Sequence, residues 1–344
     1  MGDADPVFLT GATGFIGSHV LDALLDAGYP VRALVRGEPG RLGSRPGVTP
    51  VSGDLARPGA LTRELDGCRY LVHVAAHYSF APRDAEVIRR VNVAGTTGLM
   101  EAARIAGVER AVVTSSSGVV GPARNGRPAT EEDFAPPHRS AGAGLGYHDS
   151  KVEEEWAVWA ARVPAVEVLP TAPVGPRDAA PTPTGQMVLD ALHGRMVVSV
   201  RGGMNLVPVE DVAQGHVLAL ERGRLGERYL LGGEDWDLHR IFSYLAALGG
   251  HRAPRFQVPH RLVMAEARID DARSRVMGSV PRVPLEGARM SGQDWYAGSE
   301  RAQRELGWRA GPVEAALRRA AAWYQGRAST DGRRGRSAPA GPRW

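Results

Sequence analysis

The sequence predicts an α/β protein, a doubly wound parallel sheet with a smaller substrate-binding subdomain interleaved in its C-terminal half. Three observations predict it. Short β-branched runs alternate with longer amphipathic stretches through the first 171 residues, the rhythm of βα units around a parallel sheet. A glycine-rich turn separates the first such run from the first amphipathic stretch. Beyond residue 172 the rhythm breaks, and Pro173, Pro176, Pro181 and Pro183 crowd the chain.

Taken in order, residues 6–10 read as the first strand. From 15 to 27, Ile16, Val20, Leu24 and Ala27 recur at helical spacing, with Gly28 as the stop. Val31–Val35, Val48–Ser52 and residues 70–75 follow as strands two to four. A long helix is expected over 85–106, closed by Gly107, then a fifth strand at 111–115. A helix over 150–162 and a sixth strand at 166–170 complete the series. In the second half two helices stand out, 211–222 and Leu238–Leu248. The domain reading is a dinucleotide-binding unit over 1–171 with returning segments about 205–248. A cap is expected from 172–204 and 249–324.

Length and composition set the bounds. A chain of 344 residues exceeds the usual single-domain size, and 43% hydrophobic with 23% charged residues is ordinary globular material. The net charge of +4 does not point to nucleic acid. Residues 325–344 hold five arginines against Asp331 and carry all of it, leaving 1–324 neutral. That tail, rich in Gly, Pro, Ser and Arg, is expected to be disordered. Cys68 is the only cysteine, so no intrachain disulfide forms and a reducing, cytoplasmic location is expected. There is no run of about 18 apolar residues and no signal-like start. No metal site is expected. The anticipated partner is a small-molecule substrate; a homodimer is one possible assembly, and the sequence does not choose the oligomeric state.

Thr10-Gly11-Ala12-Thr13-Gly14-Phe15-Ile16-Gly17 lies between the first strand and the first helix. Glycines there allow a tight turn and close backbone approach to a pyrophosphate, and the helix N-terminus offers free N–H groups and partial positive charge. With 43 glycines in the chain the triplet alone is weak; its strand–turn–helix context makes it a dinucleotide signal and the sheet a Rossmann-type one. An acid at the end of the second strand would hold the ribose hydroxyls of NAD. Arg36 stands there instead, with Arg32 on the same alternating face. A guanidinium suits the 2′-phosphate of NADP(H), so NADP(H) is the preferred cofactor and NAD(H) the alternative. Two merely solvated arginines in an Arg-rich chain are the bland reading. Asp54, with its neighbour Leu55, is placed for the adenine edge, and Ala75-Ala76 offers a small-residue approach.

Tyr147-His148-Asp149-Ser150-Lys151 sets a phenol and an ammonium four residues apart, on one face if a helix starts there. A nearby cation favours phenolate, so the Tyr147 pKa is expected to fall below about 10. Such a pair is also what an ordinary helix surface carries. Here, however, 41 of 42 basic residues are arginine, and the single lysine is Lys151. Ammonium is a compact point charge where guanidinium is a broad fork. The fifth strand ends in Thr114-Ser115-Ser116-Ser117, hydroxyls at the sheet edge where ligands bind. His77, Tyr78, Phe80 and His148 flank the expected site, as lining or as packing residues.

These motifs resemble the extended short-chain dehydrogenase/reductase superfamily, in its NAD-dependent epimerase/dehydratase group, over nearly all of 6–324. TGATGFIG (10–17) looks like that family's cofactor loop and YHDSK (147–151) like its Tyr-x-x-x-Lys pair. The resemblance implies Ser116 as the catalytic Ser/Thr beside Tyr147 and Lys151, Asn92 as a family asparagine on the long helix, and PTAPVGPRD (170–178), beginning at Pro170, as the segment contacting nicotinamide. Within the superfamily the chain looks most like dihydroflavonol reductase-like and hopanoid-associated sugar epimerase-like proteins. Gly203-Met204-Asn205-Leu206 stands where sugar-nucleotide epimerases carry Arg-Asp and an aromatic, a departure that counts against a nucleotide-diphosphate sugar. The expected chemistry is hydride transfer to or from a carbonyl or secondary alcohol. A sugar-nucleotide epimerase/dehydratase and an NADP-sensing regulator are the alternatives.

Overall fold

A computed structural model describes residues 5–135, 146–277 and 285–334. Its main sheet has seven parallel strands. They are β1 (Val7–Thr10), β2 (Val31–Val35), β3 (Val48–Ser52), β4 (Tyr70–His73), β5 (Arg110–Thr114), β6 (Ala165–Pro170) and, returning from the second half, β10 (Arg228–Leu231). The order β10-β6-β5-β4-β1-β2-β3 reverses direction between β1 and β4. That reversal opens a crevice beyond the carboxyl ends of the strands, where open α/β sheets bind ligands.

Helices cover both faces, and the strands are apolar on both sides, as a buried parallel sheet requires. On one face α1 (Phe15–Asp26) and α7 (Val209–Arg222) pack Val20, Leu21, Leu24, Val212 and Val217 against Val7, Leu9, Val112 and Val166. On the other, α2 (Leu61–Leu65), α4 (Thr96–Ile105) and α5 (Tyr147–Ala160) bury Leu61, Leu65, Leu99, Met100 and Val158 against Phe8, Leu71, Ala111 and Val113.

The smaller layer is built around β9 (Gly203–Pro208), which pairs with β7 (Ala172–Val174), β11 (Glu234–Asp237) and β13 (Asp294–Trp295). A two-stranded piece joins β8 (Val198–Val200) to β12 (Phe256–Val258). Helices α6 (Pro183–Leu192), α8 (Leu238–Leu248) and α11 (Val313–Arg334) close a second core around Trp236, Ile241, Leu245 and Leu317. Two further helices, α9 (His260–Met277) and α10 (Leu285–Met290), complete the described chain.

Several expectations shift. The helix expected over 85–106 is interrupted: α3 (Ala85–Ile88) runs into a π-helical stretch, Arg89–Gly95, before α4. Such a bulge turns a side chain out of the usual register, and the one turned inward is Asn92, fully buried. Strand β4 ends at His73 rather than 75, because the Val74 and Ala75 amides donate to Thr10 Oγ1. Helix α5 begins at Tyr147, three residues earlier than expected. The first ten residues of the segment expected to be disordered instead continue α11, with Arg327 over the Trp323 ring at 5.0 Å; residues 335–344 lie outside the described residues. Strand β10 had no reading of its own, since four residues bounded by glycines carry too little pattern.

Candidate active site

The glycine turn is held by contacts only glycine permits. Gly11 has φ +79°, and a Cβ there would stand 2.7 Å from the Ala75 amide nitrogen. A Cβ on Gly17 would meet the Gly11 carbonyl oxygen at 2.0 Å. These two residues bring β1, β4 and the first turn of α1 against one another. The N-cap of α1 is Gly14, with no side-chain cap, so the first-turn amides stay free toward the crevice. This cradle fits the pyrophosphate of a dinucleotide: open N–H donors at a helix N-terminus, and backbone where side chains would obstruct.

A cleft of about 340 Å³ runs from this turn along the sheet edge. Every residue expected from sequence to touch cofactor or substrate lines it: Gly11, Thr13, Gly14, Phe15, Ile16, Gly17, Arg36, Asp54, Leu55, Ala75, Ala76, Ser116, Tyr147, Lys151 and Pro170. Arg36 is exposed at its far lip. Arg32 is not its companion. Its guanidinium donates to the carbonyls of Glu64 and Asp66 at 2.8 and 2.7 Å, capping the end of α2. Asp54 Oδ1 accepts the Ala56 amide at 3.0 Å, which fixes its loop.

Two buried polar clamps shape the floor. Thr10 Oγ1 and Thr96 Oγ1 bracket His73 at 2.7 and 2.8 Å. Burial, then the charge of Lys151, pushes the His73 imidazole down to about 3. Asn92 accepts the His77 amide at 2.7 Å and donates to the His77 carbonyl and Ser150 Oγ, each at 3.1 Å. The π-helical turn therefore ties the loop after β4 to the first turn of α5.

Ser116 follows β5 in extended conformation and caps the next turn by accepting the Gly118 amide at 3.1 Å. Tyr147, on the first turn of α5, is 9% exposed and lines the cleft with Ser116. Lys151 is 2% exposed, its Nζ donating to the Thr114 carbonyl at 2.8 Å and to Glu154 Oε1 at 3.0 Å. The expected fall in the Tyr147 pKa does not occur. Burial pushes the phenol well above its ordinary value, Glu154 and Glu286 add to the rise, and the Ser116 hydroxyl opposes it. The ammonium that was to favour phenolate is already paired with Glu154.

The other end of the cleft is aromatic. The Tyr78 and Tyr147 ring centroids lie 4.3 Å apart, and the ring of His148 stacks between Phe80 and Trp295 at 6.0 and 5.6 Å. His148 Nδ1 is 2.7 Å from Glu286 Oε1. Met204 and Met290 join Tyr78 and Trp295 in the lining; Phe80 stands behind His148. Trp295, Met290 and Glu286 had no sequence signal. They lie more than 130 residues from Tyr147, and only the packing of the smaller layer brings them to it.

A switch-point crevice beneath a glycine turn, with Ser, Tyr and Lys at its edge, defines the class: a dinucleotide-dependent enzyme of the extended short-chain dehydrogenase/reductase type. The chain belongs to the NAD dependent epimerase/dehydratase family, whose model matches residues 7–232. It is thus an enzyme of the NAD(P)-dependent oxidoreductase and epimerase kind. It is 40% identical over 331 residues to a putative dihydroflavonol 4-reductase of Synechocystis, covering 94% of this chain and 95% of that one. With sterol demethylase protein B of Methylococcus capsulatus it shares 35% identity over 93% of this chain and 98% of the other. The crystal structure of gox2253 superposes with a TM-score of 0.81 at 38% identity, covering 94% of this chain and 98% of that one. Among the described residues no helix is long and apolar enough to cross a membrane.

Proposed function

We propose that this enzyme transfers hydride between NADP(H) and a carbonyl or secondary alcohol on a largely apolar small molecule. The observation that carries the reading is that Ser116, Tyr147 and Lys151 line one cleft between its glycine-lined and aromatic ends. The bound nucleotide supplies the hydride. The first-turn amides of α1 hold its pyrophosphate, and Arg36 meets the 2′-phosphate. Ser116 Oγ orients the substrate oxygen, and Tyr147 Oη gives that oxygen its proton. Lys151 Nζ anchors the ribose side of the site.

The apolar substrate class follows from the lining. Among the described residues of the cleft, Arg36 is the one arginine, and it stands at the opposite end from Tyr78, Met204, Met290 and Trp295. A nucleotide-diphosphate sugar would need cations where this wall has aromatic rings and thioethers. The ketoreductase of Stigmatella aurantiaca, 32% identical over 88% of this chain, acts by name on a farnesylated dihydroquinoline oxide, in keeping with an apolar carrier.

The test joins native mass spectrometry of the purified protein to a panel of apolar ketones and sugar nucleotides, with NADPH and NADH consumption as readout. Apolar ketones should consume NADPH. Tyr147→Phe should lower turnover by roughly a hundredfold to ten-thousandfold and leave nucleotide binding intact. Retained NAD with epimerised sugar nucleotide and no net consumption would put the epimerase in its place. Tight NADPH binding with no turnover across the panel would favour a sensor.

A further inference from the structure

Among the described residues eleven large apolar side chains are exposed, and six of them lie on or beside β8, β12 and α9: Val197, Val198, Phe256, Leu262, Ile269 and Met277. Val198 and Phe256 stand opposite each other in the β8–β12 pair, and only Pro259 separates β12 from α9. Phe256 is 69% exposed, Leu262 56% and Ile269 64%. Side chains bared to that extent stand proud of the surface rather than line a groove. The inner side of α9 is employed in packing, with Val263 against the second core and Ala267 fully buried. On the outer side, at about 3.6 residues per turn, Leu262, Ala265, Ile269 and Ala272 form one exposed stripe. Arg261 and Arg268 edge it on one flank and Arg273 on the other.

The charge on this face is one-sided. From 252 to 273 the exposed charged residues are Arg252, Arg255, Arg261, Arg268 and Arg273 against Glu266 alone; Asp270 and Asp271 are partly buried and already partnered. Among the described residues no carboxylate pairs with Arg252, Arg255, Arg261 or Arg268. Arg69, Arg104 and Arg318, on other faces, are by contrast paired with Asp5 and Glu109, with Glu101 and with Glu314. We propose that the outer face of α9, with Phe256 and Val198 beside it, seats this enzyme on an anionic lipid surface. An apolar stripe edged by cations suits a helix lying in the bilayer interface, its apolar side chains at the acyl boundary and its guanidinium groups among the phosphates. Arginine stems reach past the stripe while their heads stay with the headgroups. A second copy related by a two-fold axis would set arginine against arginine. An acidic protein would meet the charge and leave the protruding apolar side chains without a reason.

The same helix adjoins the aromatic end of the cleft. His260 Nε2, at the start of α9, is 2.8 Å from the Ala288 carbonyl oxygen of α10. The His260 ring occupies the space that a Cβ on Gly292 would enter, at 2.5 Å. Met290, between those two contacts in the chain, lines the cleft. The docking face is therefore one helix removed from the substrate end. On the reading of an apolar substrate, on which this last step rests, the membrane is where that substrate is drawn from.

The experiment is flotation of the full chain with vesicles of phosphatidylglycerol and phosphatidylcholine in equal parts, and of phosphatidylcholine alone, at low and high salt. Wild type should float with the anionic vesicles at low salt, and much less with the neutral ones or at high salt. Leu262→Ser with Ile269→Ser should lower the partition coefficient roughly tenfold or more. Arg261→Gln with Arg268→Gln should lower it about fivefold per arginine. All four positions are exposed, so the melting temperature should hold; should the double serine variant fail to fold, Phe256→Ser carries the same test. Absence of flotation with anionic vesicles at low salt overturns the proposal, as does flotation that these variants leave unchanged. Retention on immobilised polyglutamate without flotation would give the face to an acidic protein. A dimer lost in the double serine variant, without vesicle binding, would give it to a second copy. Flotation is read without substrate. Flotation with no reduction of any apolar ketone removes the functional reading and leaves the docking face, whereas reduction without flotation does the reverse.

Discussion

The two ends of the cleft are built in different ways. At the nucleotide end the contacts come from four short segments (11–17, 34–36, 54–55 and 74–76) at the carboxyl ends of neighbouring strands. What is offered there is backbone, exposed because glycine and alanine leave it bare. At the substrate end Tyr78, Thr184, Met204, Met290 and Trp295 arrive from segments spread over more than 200 residues, and they offer side chains. A backbone cradle tolerates almost no substitution and is indifferent to what the far end binds. A side-chain wall can be exchanged residue by residue, so one fold can present one cofactor to many substrates.

The largest effect should come from breaking the cradle. Gly11→Ala forces a side chain into the left-handed region and drives a Cβ to 2.7 Å from the Ala75 amide. Strain of about 1–3 kcal/mol is expected from such a position, and the turn must move away from β4. Nucleotide affinity should fall roughly a hundredfold, read by fluorescence titration, together with a lower melting temperature. Unchanged affinity would mean that the nucleotide does not rest on this turn.

The next effect is smaller and lies on the lip of the same end. Arg36 is exposed, and its role depends on one charge-assisted contact. Arg36→Asp should reverse the preference between NADPH and NADH, shifting their affinity ratio by about ten- to a hundredfold, the worth of a hydrogen bond to a charged group. Equal wild-type affinities for the two would remove the assignment.

Much of this contrast was legible in the sequence. Strands β2 and β3 and helix α8 lie where their patterning placed them, and the glycine turn announced both its conformation and its ligand. The pair Tyr147 and Lys151 stood out because the chain holds no other lysine. What could not be read was non-local. The π-helical turn at Asn92 arises from a buried amide satisfying the His77 backbone, which periodicity does not encode. The Tyr147 pKa was read with the wrong sign because Lys151 was visible as a neighbour and Glu154, as its buried counter-charge, was not. The signal was present, a glutamate three residues on, but helix-surface pairs of that spacing are common and mostly solvated. Trp295 and Met290 needed the smaller layer to fold first.

The smallest effect tests whether the two ends are separable. Trp295 is half-buried on β13, its Nε1 donating to the Met290 carbonyl at 3.0 Å and its ring stacked on His148. If it serves as the apolar floor for substrate, Trp295→Ala removes part of that contact and one aromatic partner of His148. An aromatic contact of this kind is worth about 0.5–1.5 kcal/mol, so KM for an apolar ketone should rise a few-fold to about tenfold. Tyr147 is held independently by the Tyr78 ring and by its place on α5, so kcat should change little and the nucleotide affinity not at all. Trp295→Phe, which keeps a ring, should recover most of the loss. The opposite pattern, a fall in kcat with KM unchanged, would mean that the stack from Trp295 through His148 positions the neighbouring Tyr147. The aromatic wall would then belong to the proton-transfer machinery, and the division between a fixed cofactor end and an exchangeable substrate end would not hold for this enzyme.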